Sequence, residues 1–148
     1  MVNVGGKSET VRRAVAEGTI TMSAAAAEQV RRASGPKGDV LATAELAGTM
    51  GAKRTAELIP LCHPVALDHV EVAATLDDAL PGVRVRAAVQ ATGRTGVEME
   101  ALTAVSIALL TVYDMVKAAG HEMCVTDIVL LEKSGGASGD WIRSRHDR

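Results

Sequence analysis

The 148-residue chain has no phenylalanine, and Tyr113 and Trp141 are its only aromatic residues. Single-strand and RNA-binding modules stack bases on aromatic side chains, so a nucleic-acid-binding role is disfavoured. A core without large rings must be filled by Ala, Val, Leu, Ile and Met, and side chains that small let elements approach closely. An excess of one charge is lacking too: 16 Lys and Arg stand against 18 Asp and Glu, for a net charge of -2. A pI near 6.1 leaves no global basic field to steer DNA or anionic lipid. Clustered cations could still hold a small anion.

Cysteine is scarce. Cys62 and Cys124 form neither a CxxC pair nor a disulfide framework, so reduced thiols and a cytoplasmic setting are expected. The N-terminal ten residues contain no apolar signal segment, and the longest apolar run, 101–113, reads as too short to cross a bilayer, so no membrane partner is expected. With 47% apolar residues and no low-complexity run beyond the four alanines 24–27, a packed core is expected. The length suits one domain over residues 1–140, followed by a polar tail, 141–148.

The periodicities that are present place the elements. Residues 18–22 read as a short strand, and Ser23 caps an Ala-rich helix over 24–33, which Ser34-Gly35-Pro36 breaks. Asp39 caps a second helix running to about Leu58, with Leu41, Ala44, Ala47 or Gly48, and Gly51 on a close-packing side. Alternation at Leu67, Val70, Val72 and Ala74, then at Val83, Val85, Ala87 and Val89, predicts a β-hairpin. Thr95 and Glu98 fit a capping box opening a long helix to about Ala119, which Gly120 ends, and residues 123–133 read as the last strand. The order β-α-(α)-β-β-α-β is a split βαβ pattern, predicting an α+β, ferredoxin-like fold whose antiparallel sheet carries its helices on one face.

Several polar residues break these patterns. Asp114 and Lys117 interrupt the apolar face of the long helix three residues apart. A solvated ion pair would explain that spacing without function. The alternative is a cleft along the stripe of Glu100, Thr103, Leu110, Asp114 and Lys117. In Leu58-Ile59-Pro60-Leu61-Cys62-His63-Pro64, nearby prolines fix the backbone around His63, which suits either a positioned imidazole or one that merely bonds a carbonyl. Cys62, His63, His121 and Cys124 have poor zinc spacing, and no metal site is expected. Cations recur near breaks, at Arg12, Arg13, Lys37, Lys53, Arg54, Arg94 and Lys133, and several could converge on phosphates. The Gly-rich stretch 135–139 could add backbone N–H groups, though it lacks the ending of a P-loop.

Taken together, Lys37-Gly38-Asp39-Val40-Leu41, Ala52-Lys53-Arg54-Thr55, the loop 58–64, Thr95-Gly96-Val97-Glu98-Met99-Glu100-Ala101-Leu102-Thr103-Ala104 and Tyr113-Asp114-Met115-Val116-Lys117-Ala118 resemble the cyclic pyranopterin monophosphate synthase family of molybdenum cofactor biosynthesis. The resemblance implies a ferredoxin-like fold and a homohexamer, built as a trimer of dimers, with active sites at subunit boundaries. It implies a phosphorus–oxygen lyase that rearranges 3′,8-cyclo-7,8-dihydroguanosine 5′-triphosphate to cyclic pyranopterin monophosphate and releases pyrophosphate. On this likeness Asp114 is the catalytic carboxylate, and Lys37 and Lys117 are the acid/base pair. Leu61, Cys62, His63, Met99 and Glu100, with Glu98 beside them, contact substrate, and Arg12, His63 and Lys133 hold phosphates. A lysine crowded by cations and partly desolvated would lose proton affinity and could work near neutral pH. No cofactor is required, although Mg²⁺ could accompany the triphosphate. The chain departs from the family pattern at Asn3, where Asp is usual, at Glu45, where a basic residue is common, and at Ala137, where Lys is frequent. A ferredoxin-like module that binds a small phosphorylated ligand without turnover is the alternative, and Asp114 and Lys117 on the long helix favour the enzyme.

Overall fold

The computed structural model describes residues 1–33 and 37–144. The expected helix break at 34–36 and the tail residues 145–148 lie outside the described residues. β1 (Thr10–Thr21) leads into α1 (Ala24–Arg32), α2 (Val40–Lys53) and the single turn α3 (Thr55–Leu58). The hairpin β2 (His69–Asp77) and β3 (Gly82–Gly93) follows, then α4 (Glu98–Val116) with a 3-10 turn over Lys117–Ala119, β4 (Cys124–Ser134) and β5 (Trp141–Ile142). The five strands form one antiparallel sheet in the order β2-β3-β1-β4-β5, the split βαβ arrangement with one short strand added.

One face of that sheet carries the helices. Ala14, Ala16 and Ile20 of β1 and Val83, Val85, Ala87 and Val89 of β3 meet Ala101, Ala104, Val105, Ala108, Leu109 and Val112 of α4 in a core with no aromatic side chain among its fully buried members. α2 lies against α4 through glycine. A Cβ at Gly48 would stand 2.9 Å from the Ala104 carbonyl oxygen, and one at Gly51 would stand 2.8 Å from Ile107 Cγ1. The opposite face carries charge, with Arg84 bonded to Glu17 at 2.9 Å and to Asp77 at 3.0 Å.

Ser23 and Asp39 cap α1 and α2, accepting from Ala26 N at 3.2 Å and Ala42 N at 3.1 Å. Four local expectations are corrected. β1 begins at Thr10 rather than Gly18, because this strand is central and the sheet supplies partners on both sides. The second helix stops at Lys53, where the buried Thr55 hydroxyl donates to the carbonyls of Ala52 (3.0 Å) and Gly51 (3.3 Å), and a separate turn follows. No capping box forms, since Val97 is the N-cap of α4 and makes no side-chain bond, which leaves Glu98 free to face Lys133. Among the described residues β5, not β4, is the last strand, its Trp141 and Ile142 pairing with Lys133 and Glu132. Gly120 follows the 3-10 turn in an extended conformation, its N–H donating to the Lys117 carbonyl.

The apolar run expected to be too short for a bilayer is part of a longer helix. Glu98–Ala119 spans 22 residues with mean hydropathy 1.5, enough to cross a membrane by length and composition. One side of it is packed on the sheet and on α2, with Ala101, Ala104, Val105, Ala108, Leu109, Val112 and Val116 wholly buried, while Leu110 is exposed.

Candidate active site

The residues singled out from the sequence gather at the two ends of α4. At its C-terminal end Asp114 sits between two lysines. Lys117 Nζ donates to Oδ1 at 2.7 Å across one helical turn, and Lys37 Nζ, from the segment entering α2, donates to Oδ2 at 2.5 Å and to the Asp114 carbonyl at 3.1 Å. All three side chains are about half exposed, so the cluster is open to a ligand. The hydrogen bonds from Lys117 and then Lys37 lower Asp114 to about 2, keeping it ionised. Lys117 is pushed upward by the same carboxylate, against the expectation that crowding by cations would lower a lysine here. The nearest charge to it is negative, so Lys117 is an ammonium donor.

At the N-terminal end, Glu98 and Glu100 are two residues apart, roughly 200° around the helix, and face different clefts. Glu98 faces the cationic one, of about 210 Å³, lined by Lys7, Arg12, Arg13, Arg94 and Lys133 with Thr95, Gly96, Ser134, Gly135 and Ser138. Lys133 Nζ lies 3.6 Å from Glu98 and donates to Ser138 Oγ at 2.8 Å. Arg12 is buried, and its guanidinium donates to the carbonyls of Gly93 (3.3 Å) and Gly135 (3.4 Å). Gly135 and Gly136 adopt φ of +89° and +83°, and a Cβ at Gly136 would stand 1.6 Å from Arg12 Nη1, so the turn leaves room only for the guanidinium. The uncapped first turn of α4 adds N–H groups and the positive end of a helix dipole to the same cleft.

Glu100 faces the other cleft, of about 160 Å³, lined also by Lys53, Arg54, Glu57, Pro64 and Val65. It is only 3% exposed, and its Oε2 has no hydrogen-bond partner among the described residues. The Cys62 thiol contacts Oε1 at 3.8 Å. Burial raises the carboxyl pKa, and burial together with the charge of Glu100 raises the thiol. Met99 (38% exposed) and Leu61 (72% exposed) flank this region, with His63 half-buried on the same loop as Leu61 and Cys62.

The structure therefore joins Asp114, Lys37 and Lys117 into one cluster, Arg12, Lys133 and Glu98 into a second, and Cys62 with Glu100 into a third. His63 does not line the cleft of Arg12 and Lys133. The stripe from Glu100 to Lys117 forms no continuous cleft, because Ile107 in its middle packs on Gly51 of α2. Fourteen residues of helix put Asp114 about 21 Å from Glu100. Among the described residues no group of three or more His, Cys, Asp or Glu side chains could hold a metal, and both cysteines are free. Lys7 was not among the expected cleft residues. It precedes β1 in a segment without periodicity, and only its position beside Arg94 reveals it.

The Asn3 substitution is accounted for locally: its Oδ1 accepts from Gly5 N at 2.8 Å, which needs an acceptor and not a charge. Glu45 turns away from the clefts, and its Oε1 accepts from Ala74 N, closing one backbone donor on the outermost strand, β2. A model of the MoaC family matches residues 1–136 of the chain.

Proposed function

The chain belongs to the MoaC family, enzymes of molybdenum cofactor biosynthesis, and from that premise we propose that it converts 3′,8-cyclo-7,8-dihydroguanosine 5′-triphosphate to cyclic pyranopterin monophosphate with release of pyrophosphate, as a phosphorus–oxygen lyase of the cytoplasm. The observation that carries this reading is the conjunction of a cationic cleft with a separate Lys–Asp–Lys cluster. The reaction needs both, because one part of the substrate is a triphosphate and the other is a ring on which protons must move.

Arg12, Lys133 and the backbone of the Gly-rich turn hold the triphosphate, with the N-terminus of α4 beside them. As a ribose hydroxyl oxygen bonds to the α-phosphorus, the bond from that phosphorus to the oxygen bridging it to the β-phosphorus breaks, and pyrophosphate leaves with the bridging oxygen. Cations already fixed around the leaving group stabilise the charge that develops there. Asp114 holds both lysines by separate oxygens. Lys117 enters as the proton donor, and Lys37 completes the acid/base pair. Glu100, Cys62 and Met99 contact the ring portion, without an aromatic stacking partner. Mg²⁺ accompanying the triphosphate is compatible with this scheme, and no resident cofactor is needed.

The separation along α4 bears on assembly. A ligand of this size does not span about 21 Å of helix, so the Asp114 cluster of one copy serves the Glu100 end of another. Ile107 is midway between the two ends. A twofold axis beside it would superpose the C-terminal end of one α4 on the N-terminal end of the next, and the exposed Leu110 of α4 and Leu46 and Met50 of α2 supply apolar surface. A homohexamer made of three such dimers is the assembly that the reading carries.

The direct assay follows pyrophosphate and an oxidisable pterin product from the purified protein and the cyclic triphosphate. Turnover is expected, with Lys37→Ala and Asp114→Asn lowering it by about 10²-fold or more while folding is retained. Tight binding of the triphosphate without pyrophosphate release would instead establish the non-catalytic binding module.

A further inference from the structure

Residues 1–9 precede β1 without forming a helix or strand, yet they are tied down. Gly5 N bonds the Asn3 side chain at 2.8 Å, and Lys7 N bonds the Val4 carbonyl at 3.1 Å. Arg94, on the segment leading into α4, donates to the Gly5 carbonyl at 3.4 Å and lies 3.5 Å from the Glu9 carboxylate. The segment is thus a strap folded back over the edge of the cationic cleft. Lys7 is the residue it contributes to the lining.

The other cations there have partners. Arg13 is paired with Glu132, Arg94 with Glu9, Lys133 with Glu98 and Ser138, and Arg12 with two carbonyls. Among the described residues Lys7 is the one cation of the cleft whose side chain has neither an ion pair nor a hydrogen bond. Its charge is uncompensated, and its flexible stem can follow an anion. The Gly-rich turn on the other wall has Ala137 where the family often carries a lysine, so its own cationic contribution is small.

We propose that Lys7 is a polyphosphate-binding residue, presented to the cleft by the strap that Arg94 anchors. This rests on the phosphate role of the cleft in the proposed function and adds the residue that meets the anion from the strap side. Binding draws Lys7 Nζ to a phosphate oxygen and leaves the pairs of the neighbouring cations in place.

Inorganic tripolyphosphate is the probe, titrated calorimetrically into the full-length protein at low and at physiological salt. Lys7→Ala is expected to weaken binding roughly tenfold and to flatten its salt dependence. Lys7→Arg is expected to recover most of the affinity, and Arg32→Ala, which removes a charge on α1 outside the cleft, to leave it unchanged. In turnover Lys7→Ala raises KM more than it lowers kcat. Unaltered tripolyphosphate affinity in Lys7→Ala, an equal loss in Arg32→Ala, or no binding by the unsubstituted protein would each overturn the assignment. Tripolyphosphate binding that depends on Lys7, in a protein that fails to turn over the cyclic triphosphate, would sink the catalytic reading and leave Lys7 as assigned.

Discussion

Two carboxyl groups on one helix are pulled in opposite directions by their surroundings. Asp114, half-exposed between two ammonium-bearing side chains, is held at about 2 against an ordinary 3.8, so its ion pairs persist above the unfolded value and are lost only as pH falls through about 2. Glu100 is buried and its carboxyl is raised above 4.5. A group of that kind binds more protons folded than unfolded, so stability declines as pH rises from 4.5 through the folded value and levels off beyond it. Denaturant midpoints measured across that window should fall with pH in the unsubstituted protein and fall less in Glu100→Gln, which keeps the shape and removes the charge. Superimposable profiles would contradict the burial argument. Asp114 and Lys117 were legible in the sequence because an acid and a base interrupted an apolar helix, whereas Lys37, outside that helix, stood out only as a cation after Pro36 and through the family resemblance. The orphaned oxygen of Glu100 was not legible, because burial at a helix's first turn depends on the loop 58–64 folding over it, and nothing in the spacing encodes that.

Among the elements, those with strong local signals were read correctly and those governed by neighbours were not. Ser23 and Asp39 cap their helices as their side-chain chemistry predicts, and the alternation of β3 survives in its buried and half-buried positions. The part of β1 before Gly18 holds Arg12, Arg13, Ala14, Ala16 and Glu17, residue types that favour helices, and it becomes a strand because β3 and β4 pair with it on both sides. The capping box at Thr95 fails for a related reason. α4 starts two residues later than the motif requires at Glu98, and that carboxylate faces Lys133 across the cleft. Small residues between α2 and α4 were anticipated from the sparse aromatic content. Their necessity can be measured at Gly48, where the Ala104 carbonyl lies 2.9 Å from a hypothetical Cβ and belongs to rigid helix backbone. Gly48→Val should lower unfolding free energy by about 2 kcal/mol in spite of the better helix propensity of the new residue. An unchanged or raised midpoint would show that the helices can separate at little cost.

At the scale of the whole molecule, the order of elements was enough to derive the antiparallel sheet with helices on one face, while the short β5 escaped notice because two residues carry no period. Sequence spacing also suggested one polar stripe along α4, and the packing of Ile107 on Gly51 divides it into two ends. That division underlies the central claim that two chains combine opposite ends of their α4 helices to make each active site. Co-expression of an Asp114→Asn chain with a Glu100→Gln chain measures it most directly. Each variant alone is inactive on this account, but in a mixed dimer one of the two sites draws Asp114 and Glu100 from the unsubstituted ends. With random pairing, pyrophosphate release should recover to about a quarter of the unsubstituted rate. Co-expression of Asp114→Asn with Lys117→Ala, both at the same end, should recover nothing. Pyrophosphate release that stays at the level of the single variants in both mixtures would show that each chain builds its site alone, and would contradict the account.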